Sequence, residues 1–257
     1  MSILTYPLGF IGGGKEFYNG VIENSLRLED GDSPVLKRTP AVAGNREVWS
    51  WSGWIKKASL TSSYHVLFGQ GDTGTSSQTS IWYYQDNIGL YWGGPGGPQH
   101  KIAAKHRDPS AWMHVCVSVN TNALPADDMA KMWINGKRVT DYGEQSEPSA
   151  GFDTYINSTG IHAIGGSGES TSAHFFDGYM TDVYLIDGHA LGVENFGEYK
   201  EGAWIPKAYA GPPPLSVDSS PNNHELQVSG GVELDYDKTY LGESSVHYPD
   251  TGNARHF

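Results

Sequence analysis

Lys131-Met132-Trp133-Ile134-Asn135-Gly136-Lys137-Arg138-Val139 places Asn-Gly between two strand-like runs. That dipeptide is the strongest short-range hairpin signal, because a two-residue type I′ turn needs positive φ at both central positions. Just before it, Trp112 to Asn120 carries Val115, Val117 and Val119 on alternate positions, which predicts a long strand feeding the hairpin. Earlier still, Trp49 to Lys57 puts Trp49, Trp51, Gly53 and Ile55 on one face, with Ser50, Ser52, Trp54 and Lys56 on the other. Further strands are expected at Ser25–Leu28, Val35–Leu36, Tyr64–Phe68, Ser80–Tyr84, Ile88–Trp92, His162–Ile164 and Gly178–Ile186. Glu29 to Asp32 reads as an acidic turn and Asp86-Asn87 as a tight one. Only Asp127–Lys131 and Gly192–Tyr199 could hold a helical turn. Many short strands at this spacing predict an all-β, antiparallel sandwich.

Composition agrees. Eight Trp and fifteen Tyr need a core to pack in, which excludes a disordered acidic chain. Thirty-three Gly and fourteen Pro among 257 residues make a turn-rich chain rather than a helical bundle. The net charge of 17 − 29 = −12 argues against binding nucleic acid or an anionic membrane. A single cysteine, Cys116, cannot form an internal disulfide, and its alternating neighbours make it a half-buried strand thiol. The first residues, MSILTYPLGFIGGG, lack a basic leader and are broken by Pro7 and Gly9. They do not read as a signal peptide, so the expectation is synthesis in a cytoplasm without general secretion. No run approaches the roughly 20 apolar residues of a membrane span.

Several phrases together resemble the concanavalin A-like, laminin G-type jelly-roll family. They are Trp49-Ser50-Trp51-Ser52-Gly53-Trp54, Trp112-Met113-His114-Val115, Met132-Trp133-Ile134-Asn135-Gly136 and Phe176-Asp177-Gly178-Tyr179, in family order over about residues 22–190. The chain is similar to one subset in particular, the jelly-roll domains of marine bacteriophage virion proteins. That likeness rests on Leu36-Lys37-Arg38-Thr39-Pro40, Gly44-Asn45-Arg46, Arg107-Asp108-Pro109-Ser110-Ala111-Trp112, His162-Ala163-Ile164-Gly165 and Phe175-Phe176-Asp177-Gly178-Tyr179. It continues through Ile186-Asp187-Gly188-His189-Ala190-Leu191, Phe196-Gly197-Glu198 and Trp204-Ile205-Pro206-Lys207-Ala208-Tyr209. The resemblance implies a jelly-roll fold and a place on a virion, as tail fibre, head fibre or capsid decoration. It also implies other virion proteins as partners, a homo-oligomer (by analogy a trimer), and host-surface or environmental glycans as ligands.

The organisation expected is an N-terminal arm at 1–20 that could anchor the protein, a jelly-roll at 21–210, and a tail at 211–257. The tail opens with Gly211-Pro212-Pro213-Pro214, a stiff linker. Val232–Asp235 and Ser244–Tyr248 then read as strands, and Ser245–Asp250 echoes Ser25–Asp30. The tail is therefore either the start of a second jelly-roll copy or an arm that completes a neighbour's sheet.

Catalytic patterns are weak. A retaining glycosidase needs two carboxyls about 5–5.5 Å apart, and the nearest acidic strand, Glu233-Leu234-Asp235-Tyr236-Asp237, lacks the second glutamate that laminarinase-type relatives carry. Gly165-Gly166-Ser167-Gly168 is a degraded nucleophile elbow, and no Lys-Ser/Thr follows to make it a phosphate cradle. The ten His show no zinc spacing. Calcium is the one candidate ion, with Asp30, Asp32 and Asp177 as ligands and ordinary turn chemistry as the competing explanation. The candidate carbohydrate site is the aromatic pair of runs Ser80–Tyr84 and Leu90–Pro98. Trp82, Tyr83, Tyr84, Tyr91 or Trp92 would stack on a sugar ring, and Asp86, Asn87 or Gln99 would hydrogen-bond it. About half of these rings must face the core, because strand side chains alternate. The expected function is non-enzymatic adhesion to glycans or a host surface. A ligand-free capsid cement and a laminarinase-like hydrolase stand as alternatives.

Overall fold

The computed structural model describes residues 25–58, 63–71, 76–94, 96–168 and 174–211, together with the backbone of two later short strands. Strands are numbered in chain order. A six-stranded antiparallel sheet runs β1 (Leu26–Leu28), β13 (Gly178–Asp187), β3 (Val48–Lys57), β8 (Met113–Asn120), β9 (Ala130–Ile134), β10 (Lys137–Arg138). A seven-stranded one runs β11 (Tyr142–Gln145), β7 (Gln99–Ile102), β6 (Asn87–Tyr91), β5 (Thr79–Tyr84), β4 (His65–Gln70), β12 (His162–Ile164), β2 (Leu36–Arg38).

The expected faces of β3 hold. Trp49, Trp51 and Ile55 enter the main core with Val115, Val117 and Met132 of the same sheet, and meet Leu67, Phe68, Ile81, Tyr83 and Leu90 of the other. Trp51 stacks on Phe68 across the two sheets at 6.3 Å. This is the antiparallel sandwich read from the sequence. Trp54, on the opposite face of β3, stacks on His114 at 5.0 Å. A second cluster, Cys116, Ile186, Val193 and Phe196, lies on that outer side of the six-stranded sheet. It is covered by a hairpin the sequence did not signal, β14 (Gly197–Lys200) with β15 (Ala203–Pro206).

Three local expectations change. The β5–β6 turn is Gln85-Asp86, not Asp86-Asn87: Tyr84 pairs with Asn87, and Gln85 and Asp86 take φ 48° and 67°. The two helical stretches shrink to 3₁₀ turns at Ala126–Asp128 and Val193–Asn195, because the following residues are drawn into β9 and β14. β7 and β11, which were not among the expected strands, are paired ones. Beyond residue 211, the backbone of β16 (Glu233–Asp235) and β17 (Ser245–His247) forms an antiparallel pair. The remaining expectations for 1–24 and 212–257, including the anchor arm, the linker and the nature of the tail, lie outside the described residues.

Candidate functional site

In β5, Ile81 and Tyr83 belong to the core, so Trp82 and Tyr84 face away from it; in β6, Ile88 and Leu90 are core, so Gly89 and Tyr91 face away. In β7 the buried His100 and Ile102 alternate with half-buried Gln99 and Lys101. Register then lines these outer residues up. Trp82 is opposite Gly89, which is opposite Lys101, and Tyr91 is opposite Gln99. Glu144 of β11, paired with Lys101, completes the row.

Gly89 has a packing reason to be glycine. A Cβ there would meet the Trp82 indole at 2.2 Å, so the ring lies flat across β6. Tyr64 covers the same indole at 5.6 Å and touches Tyr84 at 5.8 Å and His174 at 5.2 Å. Trp82 is thereby only 3% exposed. It stiffens the face without being available to a ligand, while Tyr84 and Tyr91 stay half-exposed. Polar groups beside them are already oriented. Lys101 Nζ donates to Glu144 Oε1 at 2.8 Å, and Gln99 Nε2 donates to Glu144 Oε2.

Next to this row the Gly93–Pro98 loop walls a cavity of about 350 Å³ with Ser146, Glu147, Ser149 and Phe152. Gly93, Gly94, Gly96 and Gly97 all sit at positive φ, which lets the loop fold back so that Gly97 rests beside the Tyr91 hydroxyl. Glu147 is engaged by His100 Nε2–H at 2.9 Å. Burial pushes the His100 pKa down while Glu147 opposes the shift.

The structure therefore separates the eight sugar-site candidates. Tyr84, Tyr91 and Gln99 share one accessible face, and Asp86 is at the hairpin tip, held by Arg107 Nε at 2.9 Å. Tyr83 and Trp92 are fully buried in the core and cannot present a ring. Asn87 is buried as well, donating to the Ile102 carbonyl at 2.7 Å, because the turn falls one residue earlier than expected. Sequence reasoning missed Tyr64, Lys101 and Glu144, which reach the face through long-range pairing with no local signature.

Of the ion candidates, Asp30 and Asp177 come together with Glu29, their carboxylate oxygens within 4.8 Å of one another; Asp32 is not in the group. Arg27 occupies the same cluster. Its Nη1 is 3.0 Å from Asp177 Oδ1 and its Nη2 pairs with Glu29, and the Asp177 hydrogen bond raises the guanidinium pKa. The oxygen set suits calcium chemically, and Arg27 answers one of its three negative charges. Among the described residues no helix is long and apolar enough to cross a membrane.

Three solved structures show the range of likenesses. A heptameric SAP-like pentraxin from Limulus polyphemus is 16% identical, with 59% of this chain and 69% of that chain covered and a TM-score of 0.39. The enzymatically active domain of bacteriophage CBA120 tailspike protein 2 is 14% identical, with 67% and 26% covered and a TM-score of 0.48. The CBM40 of Ruminococcus gnavus IT-sialidase, bound to α2,3 sialyllactose, is 13% identical, with 58% and 91% covered and a TM-score of 0.40. At these levels they say nothing of what this chain binds, and the chain spans only about a quarter of the tailspike. No curated protein matches the chain. The family model of the concanavalin A-like lectin/glucanases superfamily matches residues 30–194, more than half of the sequence. With that match laid over the two sheets, the chain belongs to the concanavalin A-like lectin/glucanases superfamily.

Proposed function

We propose that this domain is a non-catalytic, glycan-binding module of a phage virion surface protein, a fibre or decoration subunit. The observation that carries the binding half is the outer face of the seven-stranded sheet. Tyr84 and Tyr91 are half-exposed on a face stiffened by Trp82, and the Gln99, Lys101 and Glu144 side chains are fixed beside Tyr91. A sugar ring offers C–H groups to an aromatic face and hydroxyls to such an amide–carboxylate row. The virion placement rests on the phage-type phrases in the sequence, and a homo-oligomer is proposed on the same ground. The non-catalytic part is supported by the state of the acids in this region: Glu144 and Glu147 are each committed to a cation, amide or imidazole.

The test is a glycan array probed with the full chain, followed by Tyr91→Ala. The expected result is binding to a defined set of sugars, weakened at least tenfold, or about 1.4 kcal/mol, by the substitution. A blank array, or binding that ignores Tyr91, overturns the site. Incubating a bound glycan with the chain should leave its length unchanged, and release of shorter products would overturn the non-catalytic reading.

In this proposal Arg27 holds Glu29 and Asp177 together without calcium, and the exposed Asp30 carboxylate stays in solvent. The melting temperature should then be the same in millimolar calcium and in chelator. A rise with calcium refutes it.

A further inference from the structure

At the end of the sandwich where β3, β5, β7 and β9 finish, a cavity of about 310 Å³ lies under the β7–β8 loop. Lys57, Lys105, His106 and Arg107 all line it. Lys57, the last residue of β3, is only 5% exposed, and its Nζ has no hydrogen-bond partner among the described residues. It lies 3.8 Å from the centroid of the Tyr83 ring. That ring attracts a cation but supplies none of the three acceptors an ammonium can use. A desolvated, unanswered ammonium is unfavourable unless an anion completes its shell. Burial accordingly pushes the Lys57 pKa down, against the opposing pull of Asp86 and Asp177.

His106 Nε2 is likewise buried without a partner. His106 and Asn135 also line a second, adjoining groove of about 430 Å³, which adds Lys137 and Arg138. The carboxylates lining the two are Asp108 and Asp141. Arg107 is engaged by Asp86 at 2.9 Å, and Arg138 lies 3.8 Å from Asp128. A chain of net charge −12 thus collects five cations along one groove and leaves the most buried of them without an acceptor. The half-buried Trp112 lines the same cavity and supplies an apolar surface.

We infer that this groove binds a linear anionic glycan bearing carboxylate or sulfate groups, with one anionic group seated on Lys57 and His106 and the next along Lys137 and Arg138. Two cavities in series with a shared wall suit a repeating chain rather than a single ion. Successive nucleic-acid bases stack on a series of aromatic rings, whereas among the described residues Trp112 is the one half-exposed indole or phenol ring lining the two cavities. The inference is independent of the outer-sheet site and leaves that face untouched.

The test is calorimetry on the full chain at low salt, with heparin fragments, polygalacturonate oligomers, neutral dextran and a single-stranded oligonucleotide as probes. One or both anionic glycans should bind, at least tenfold more weakly in Lys57→Met and in the surface pair Arg107→Gln/Lys137→Gln. Lys37→Gln, on β2 at the opposite edge of the seven-stranded sheet, should change nothing. Heparin alone binding assigns sulfate, and polygalacturonate alone assigns carboxylate. Should Lys57→Met fail to fold, the exposed pair carries the test. The inference falls if neither glycan binds, if both variants bind as the parent does, if Lys37→Gln weakens binding equally, if the oligonucleotide binds as well, or if dextran binds and the groove variants weaken it equally.

Discussion

His114 shows how one side chain can be legible in kind and hidden in state. The Trp112-Met113-His114-Val115 phrase placed it on a long strand, and β8 confirms that. Its chemistry depends on groups far away in the chain. The Trp204 indole N–H donates to Nδ1 at 3.0 Å, so the proton sits on Nε2, which faces Ser52 Oγ at 2.8 Å. Burial between Trp54 and Trp204 lowers the imidazole pKa to about 3. His100, His106 and His162 are lowered for the same reason. Below the ordinary value of about 6.5 the unfolded chain takes up these protons and the folded one does not. Stability must therefore fall as pH drops from about 6.5 toward 3. His114→Gln should flatten that dependence by up to one proton, about 1.4 kcal/mol per pH unit, in urea unfolding between pH 4 and 7. An unchanged slope would contradict the neutral, buried imidazole.

The hairpins and the edge strands differ sharply in how much the sequence discloses. Asn135-Gly136 is in the chain where the signal placed it, with φ of 48° and 79° and Ile134 opposite Lys137. Gly136 also has a tertiary duty that no local pattern reveals: a Cβ there would come within 2.4 Å of the Trp204 ring. Gly136→Ala should thus combine backbone strain with overpacking and lower stability by about 2 kcal/mol or more in chemical denaturation. A loss of a few tenths would mean that Trp204 moves aside freely. The β5–β6 turn was misplaced by one residue because Gln85 is a poor advertisement for positive φ, whereas Asp86-Asn87 looks like a turn. β7 and β11 were missed because both are short and polar, β11 as an edge strand and β7 as its inner neighbour. Gln99-His100-Lys101-Ile102 has two inward residues, and Tyr142-Gly143-Glu144-Gln145 has no apolar run. Those same strands supply Lys101 and Glu144 beside the expected Gln99, so the ion pair of the candidate site stayed hidden while Gln99, Tyr84 and Tyr91 were visible. The basic groove was hidden as well, since it is assembled from loops and strand ends scattered from residue 57 to residue 141.

For the molecule as a body, the consequential fact is that it has apolar packing on two levels. The family match stops at residue 194, yet Phe196, Trp204 and Tyr209 close the cluster around Cys116 outside the six-stranded sheet. A chain ended at residue 194 should lose at least about 4 kcal/mol from the missing buried aromatics, which corresponds to a melting point roughly 10 °C lower. Cys116 is the built-in reporter. Its thiol is fully buried and its pKa is pushed up by that burial, so it should ignore an aromatic disulfide reagent in the intact chain and react in the shortened one. Equal melting points and a silent thiol in both would show that the hairpin is an ornament. The sandwich also ends, on all four margins of its two sheets, in strands of only two to four residues: β1, β10, β2 and β11. Such margins offer too few unpaired backbone groups to template the growth of a sheet from one molecule into the next. Copies of the described sandwich can therefore be crowded side by side without their two sheets running on from one molecule into the next.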